Sequence, residues 1–322
     1  MDGVAAPLAN RIAEELRVPA PEMAEAAARE LAHRHGSAVA AVIFYGSCLR
    51  KQTTDGVLDF YVLVDSYRET YDSRALALAN AVLPPNVFYC EQTHAGQVLR
   101  MKYAVMSAGD FASASERGSL DCRVSSRFCQ PAALVYARDD AARRAVVDAV
   151  ASACVTFVDR MRVWLPATGD HQRFRADQLW ELGFHESYRA EFRSESPETV
   201  GALHAAAPER YAGVARESLR ILETRGRLRL REEGDLLHVT SPEAARVRAR
   251  VAWRVRRPMA KALAVFGLLK TAFTFGDWVP YVLWKLERHT AVRIQLTERQ
   301  RRHPLIFGWP VIFRVLRQGL LR

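Results

Sequence analysis

The chain has 322 residues, 49% of them hydrophobic, and a formal charge of +10, enough for one large core or two domains. Five cysteines, odd in number and without a CxxC pair, point away from structural zinc and toward a reducing compartment. No uninterrupted apolar stretch of about 20 residues exists, which argues against a bilayer-spanning helix, and the N-terminus lacks the basic-then-apolar pattern of a secretory signal.

The charge is unevenly distributed. Residues 251–322 carry 14 Lys/Arg against 3 Asp/Glu, whereas the rest is nearly balanced at 32 against 33. The basic character belongs to the C-terminal region and points to a phosphate-rich partner, anionic lipid or nucleic acid.

In chain order, residues 8–34 read as two helices, rich in alanine and separated by Pro19 and Pro21. Residues 38–45 form a first strand. Residues 48–56 connect it to a second strand and carry Arg50 and Lys51. A loop and a helix with Leu76, Leu78 and Leu83 follow, stopped by Pro84-Pro85. Residues 87–90 and 102–107 are strand candidates around a polar turn at His94-Ala95-Gly96-Gln97, and Asp110 is positioned to cap the next helix. Strand alternation places Lys102, Ala104 and Met106 on one face. A strand is expected within residues 132–136 and a long helix over 139–165, with Pro166 and Gly169-Asp170 as a boundary.

Residues 171–233 read as helical. Trp180, Phe184, Tyr188 and Phe192 recur at i, i+4, a core stripe rather than a base-stacking platform. Residues 228–230 and 236–239 flank Glu233-Gly234-Asp235 as a hairpin, so that helices plus hairpin suggest a winged helical unit. An arginine-rich run over 242–257 precedes an apolar stretch over 262–284 interrupted by Lys270, Asp277 and Pro280. In the last segment Val311, Ile312, Val315 and Leu316 repeat at helix spacing beside Trp309, Phe313, Arg314 and Arg317. That is the pattern of an in-plane membrane anchor; a terminal helix docked on the core or on a partner subunit is the competing reading.

Chemistry concentrates at Phe44-Tyr45-Gly46-Ser47 and Asp59-Phe60, an apolar strand ending in glycine-serine and a second strand opening on a carboxylate. Nucleotidyltransferases use this layout. Gly46 lets backbone approach a triphosphate, Ser47 adds a hydroxyl and an N–H, and Asp59 is the candidate ligand for Mg²⁺. An ordinary β-turn before an edge strand is the alternative. Position 61 is Tyr, so a second carboxylate two residues on is missing. Asp65 lies about 20 Å from Asp59 along an ideal strand, and Asp65, Asp110 and Asp121 stay open as the second carboxylate. Lys51, Lys102 and Arg127 are candidate phosphate clamps; for Lys102 a plain strand-edge lysine is the other reading.

Together with Lys102-Tyr103-Ala104-Val105, Lys270-Thr271-Ala272-Phe273-Thr274-Phe275, Trp284-Lys285-Leu286-Glu287-Arg288-His289-Thr290 and Gln300-Arg301-Arg302-His303-Pro304, these motifs resemble the mitochondrial translocator assembly and maintenance protein family. Its members are peripheral-membrane phosphatidate cytidylyltransferases, also called CDP-diacylglycerol synthases. The similarity runs in order from about residue 40 to about residue 310, and the alanine- and arginine-rich composition suggests a bacterial relative. Two departures stand out: Gly46-Ser47-Cys48 replaces Gly-Ser-Gly, and Ser126-Arg127 replaces a glycine-arginine pair.

The resemblance implies an α/β (α+β) architecture: a nucleotidyltransferase domain with a mixed sheet over residues 1–165 and a mostly helical, winged-helix-like domain over 166–257. A basic membrane-contacting region over 258–322, with its amphipathic helix, completes it. It implies CMP transfer from CTP to phosphatidic acid on an anionic membrane surface, with Mg²⁺, in a cytoplasmic protein peripheral on the inner face of the cell membrane. Nucleic acid is not the expected partner, and oligomeric state is left open. The site residues expected are Asp59, Ser47 and Lys102 for catalysis, Gly46, Ser47, Lys51 and Arg127 for the nucleotide, and the family's Asp-x-x-x-x-x-Asp pair, Asp59 and Asp65, for metal.

Overall fold

The structure, a computed structural model, describes residues 6–274, apart from Ala95, Asp121, residues 191–200 and Ala202, together with Thr297. The expected C-terminal anchor over 304–317, and Phe192 of the aromatic stripe, lie outside the described residues.

Two helices, α1 (Ala6–Glu15) and α2 (Glu22–His35), precede β1 (Val39–Tyr45). After a single turn, α3 (Ser47–Arg50), comes β2 (Val57–Val64). The short helices α4 (Tyr67–Thr70) and α5 (Arg74–Val82) lead to the hairpin β3 (Asn86–His94) and β4 (Gln97–Ser107). Then come α6 (Ala108–Ser115), α7 (Arg123–Phe128), β5 (Ala132–Ala137) and α8 (Asp140–Met161). The five strands form one sheet in the order β3-β4-β2-β1-β5. The β2–β4 pair is parallel and the other three pairs are antiparallel, so the sheet is mixed.

Every residue of β1 is buried, because both faces of the sheet are covered. Ala41, Ile43, Tyr45, Tyr61, Leu63, Ala104 and Met106 face one core, which includes residues of α1, α6, α7 and α8. Val42, Phe44, Phe60, Val62, Tyr103 and Val105 face the other, closed by the alanine-rich side of α2. A strand covered on both faces reads as a continuous apolar run, as residues 39–45 do. The expected alternation of Lys102, Ala104 and Met106 holds, since Ala104 and Met106 belong to the first core. Full burial of a side chain such as Phe44 or Phe60 stabilises by about 1.5–3 kcal/mol.

Helix α8 starts where the Asp139 carboxylate accepts the Ala142 N–H at 2.7 Å. Its apolar side continues the first core past residue 165. Phe157 stacks on Trp180 at a ring separation of 5.3 Å, and Phe184 joins them. Trp180 and Phe184 come from α9 (Ala176–Ala190), which packs with α10 (Pro208–Thr224). The aromatic stripe is a core face: Trp180 and Phe184 are completely buried and Tyr188 nearly so.

Two expectations are revised. Residues 171–175 form a strand, β6 (His171–Arg175), instead of helix; it pairs with β8 (Leu236–Thr240), which also pairs with β7 (Arg229–Glu233). Gln172 and Phe174 point inward, and the Gln172 side-chain NH2 donates to the carbonyls of Arg162 and Leu165 at 2.9 and 3.1 Å. Second, Ser107 rather than Asp110 caps α6, accepting the Asp110 N–H at 3.0 Å, while the Asp110 carboxylate accepts the Tyr67 hydroxyl at 2.5 Å. The arginine-rich run and the start of the apolar stretch form one helix, α11 (Glu243–Thr274), which contains Pro258. Its end is tied to the sheet edge: Lys270 donates to the Leu83 and Pro85 carbonyls, and Thr274 Oγ1 to the Val87 carbonyl at 2.9 Å.

Candidate functional site

The β1–β2 register sets Tyr45 opposite Asp59, and the parallel β2–β4 register sets Asp59 opposite Lys102. Three residues from three strands thus meet at one end of the sheet, on the face that carries Tyr61. Asp59 Oδ1 lies 2.8 Å from Lys102 Nζ. That oxygen is buried, yet the ammonium approaches it off the hydrogen-bonding direction, so Oδ1 accepts no aligned hydrogen bond among the described residues.

Gly46 closes the site from the β1 side. Its φ is +92°, a region that side-chain-bearing residues rarely enter, and a Cβ built there would stand 3.0 Å from Asp59 Oδ2. Glycine is therefore required twice, for backbone conformation and for the close approach of the carboxylate. Ser47 begins the single turn α3 and is exposed.

Arg127, on α7, reaches the same face. Its Nη1 donates to the Tyr61 hydroxyl at 3.3 Å, and its guanidinium lies 5.6 Å from the centre of the Tyr45 ring. Tyr45 and Tyr61 pack against Phe128. Burial pushes the Tyr45 hydroxyl up to about 12, opposed first by the nearby Arg127 charge. Tyr45 is thus a neutral wall between Asp59, Lys102 and Arg127.

Of the expected residues, the structure brings together Gly46, Asp59, Lys102 and Arg127, with Ser47 adjoining Gly46. Lys51 is exposed at the end of α3; among the described residues no hydrogen bond or ion pair joins its side chain to Asp59 or Lys102. Asp65 is not brought to Asp59. It follows the far end of β2, where its N–H bonds the Ala38 carbonyl at 2.9 Å and its carboxylate pairs with Arg138. Asp110 bonds Tyr67 instead, and Asp121 is outside the described residues. Tyr45 and Tyr61 were missed as site residues. The alternation shared by Asp59 and Tyr61 was available, but only the register puts Tyr45 opposite the carboxylate.

Mg²⁺ commonly binds one or two carboxylates plus substrate phosphates and waters. Among the described residues no group of three or more His, Cys, Asp or Glu converges as a metal site. Asp59 offers one carboxylate with an unaligned buried oxygen. This donor set fits Mg²⁺ carried in by polyphosphate and does not fit a metal held by protein ligands alone.

No family model matches the chain and no curated protein matches it. Ten chains of solved structure do match. One is described as a nucleotidyltransferase-like protein from Exiguobacterium sibiricum 255-15; it is 12% identical, with 92% of each chain covered and a TM-score of 0.25. A superposition at that score carries no argument, and the functional reading rests on the site itself.

Proposed function

We propose that the chain is a magnesium-dependent nucleotidyltransferase, and that its reaction is CMP transfer from CTP to phosphatidic acid, giving CDP-diacylglycerol and pyrophosphate. The observation that carries the first half is the meeting of Gly46, Asp59 and Lys102 at one end of the mixed sheet. The second half is supported by the ordered motif resemblance and by the basic C-terminal region.

In this reading the backbone at Gly46 and Ser47 cradles the β- and γ-phosphates, where a Cβ would block approach. Asp59 would hold Mg²⁺, which supplies neutralisation of developing charge on the transferred phosphoryl group. Lys102 and Arg127 place positive charge beside it, and Tyr45 and Tyr61 shield that end of the sheet from water. The lipid's phosphate monoester, with a second pKa of about 6, is already largely ionised near neutral pH. Its oxygen attacks the α-phosphorus as the bond to pyrophosphate breaks. No protein nucleophile is needed, and catalysis is alignment plus electrostatics.

The helices α9 and α10 with the sheet β6-β8-β7 are read as the winged-helix-like unit, with boundaries at 165 and 257, and residues 258–322 as the membrane-contacting region of a peripheral protein. Among the described residues no helix is long and apolar enough to cross a membrane. A second reading is a nucleotidyltransferase acting on a soluble molecule or RNA. The described site favours it insofar as every element of that site is generic to nucleotide transfer and none specifies a lipid.

A nucleotide screen against phosphatidic acid vesicles, a soluble phosphate monoester and RNA, following pyrophosphate and acceptor product, decides. CDP-diacylglycerol with CTP alone is expected. Pyrophosphate with a soluble or RNA product would move the assignment to the second reading. No pyrophosphate with any pair would leave a non-catalytic, membrane-binding protein.

A further inference from the structure

Away from Asp59 and Lys102, and sharing no residue with them, the structure holds an arginine-lined cavity of about 280 Å³. Among the described residues its cations are Arg117, Arg160, Arg227, Arg248 and Arg256, and its one acid is Asp159. The Asp159 side chain is 3% exposed and pairs with Arg117 at 2.7 Å and Arg227 at 3.4 Å. The same carboxylate also neutralises the buried Arg162 at 3.1 Å. Arg160 donates to the carbonyls of Arg117 and Ser119 at 2.9 and 2.5 Å, which orient its guanidinium. Among the described residues the lining is therefore dominated by guanidinium groups, a surface that favours an anion.

A second observation points the same way. Trp253 lines the cavity and is 4% exposed, and its indole N–H has no acceptor among the described residues. Arg227 Nε is likewise buried without an acceptor among them. Buried donors are normally satisfied. Donors left over in a cationic cavity fit an acceptor-rich anion, and guanidinium forks match phosphate geometry.

We propose that this cavity is a phosphate-binding site, separate from the nucleotide site, that takes a phosphate group from a soluble phosphate or from a lipid headgroup. Val247, Val251, Val255 and Met259 form an exposed apolar ridge on α11 next to Arg248 and Arg256, so a headgroup on a bilayer has access as well as a free ion.

The test uses the full chain and the double variant Arg248→Gln, Arg256→Gln, whose changes lie on the rim of a helix and keep good helix formers. Inorganic phosphate is titrated calorimetrically at constant ionic strength, with chloride as control. Vesicles of phosphatidylcholine with and without phosphatidic acid are tested by flotation. Wild-type binding of phosphate, weakened roughly tenfold or more in the double variant while its melt is unchanged, is expected. Arginine dependence only in the phosphatidic acid vesicles supports the lipid source, and dependence only with inorganic phosphate the soluble one. Equal binding by wild type and double variant in both arms overturns the site, as does binding no stronger than chloride. Trp253→Phe, which removes the indole donor and keeps an aromatic ring, is a second variant and should also weaken binding. CTP titrated into the same proteins reports separately on the proposed nucleotide site, and its affinity should be unchanged.

Discussion

Asp59 Oδ1 and Lys102 Nζ meet 2.8 Å apart across the parallel β2–β4 register, with side chains 20% and 36% exposed. A partly exposed pair of this kind contributes on the order of 0–1 kcal/mol to stability, so its consequences are expected in ligand handling rather than in folding. Asp59→Asn keeps the size of the side chain and removes its charge. Nucleotide transfer should fall by about 10²-fold or more, with a melting temperature close to wild type. Calorimetry should also show that magnesium no longer strengthens CTP binding. Near-native turnover in a folded variant would remove Asp59 from the site.

Gly46→Ala tests the opposite wall. The added methyl meets Asp59 Oδ2 at 3.0 Å and must adopt φ +92°. Placing a non-glycine residue in such a sparsely populated region costs about 1–3 kcal/mol. A lower melting temperature is expected together with a larger loss of CTP affinity, because the carboxylate is displaced as well. Unchanged CTP affinity by calorimetry would mean that the phosphates are not cradled there.

His35 predicts a pH dependence. Burial beside Tyr71, Phe88 and Tyr103 holds its imidazole below the usual value of 6.5, opposed by a hydrogen bond with the Thr70 backbone and aided by the Arg34 charge. Below pH 6.5 the unfolded chain takes up a proton that the folded chain refuses. Stability from this group is therefore full above 6.5 and falls as pH drops from there toward the lower folded-state value. Urea melts across that window should show the decline in wild type and a shallower one in His35→Phe. Identical slopes would disprove the assignment.

Asp159→Asn leaves Arg162, Arg117 and Arg227 without their shared carboxylate. Breaking a buried pair on one side typically costs 3–5 kcal/mol, and a loss of about that size in chemical denaturation is expected. Added phosphate should recover part of it if the arginine cavity binds anions.

Removing residues 304–322 should lower vesicle flotation and activity on bilayer-embedded phosphatidic acid, with a smaller effect on CTP binding. Val311, Ile312 and Val315 changed to serine should act alike. Loss of solubility, melting temperature and CTP binding together would indicate a core helix instead.

The local pattern of the chain determined most of the elements. The apolar run over 39–45, the stop at Pro84-Pro85, the hairpin around Gly234 and the long helix after Asp139 depend on neighbours within a few residues, so composition and period reveal them. Gly46 and Asp59 were legible for the same reason: a turn residue and a strand-opening carboxylate stand in fixed local order. What only the tertiary structure decided is which strands lie side by side. Lys102 was one of several candidate clamps until the β2–β4 register set it on Asp59. Asp65 was a metal candidate through the family resemblance, but it follows the far end of β2 and pairs with Arg138. His171–Arg175 has too few apolar residues to announce a strand and becomes one because β8 supplies its hydrogen bonds. The arginines around Asp159 come from the chain after α6, from α8, from the approach to β7 and from α11, and nothing local foreshadows their meeting. Register and packing join residues far apart in sequence, and their energies depend on distances that a one-dimensional pattern does not contain.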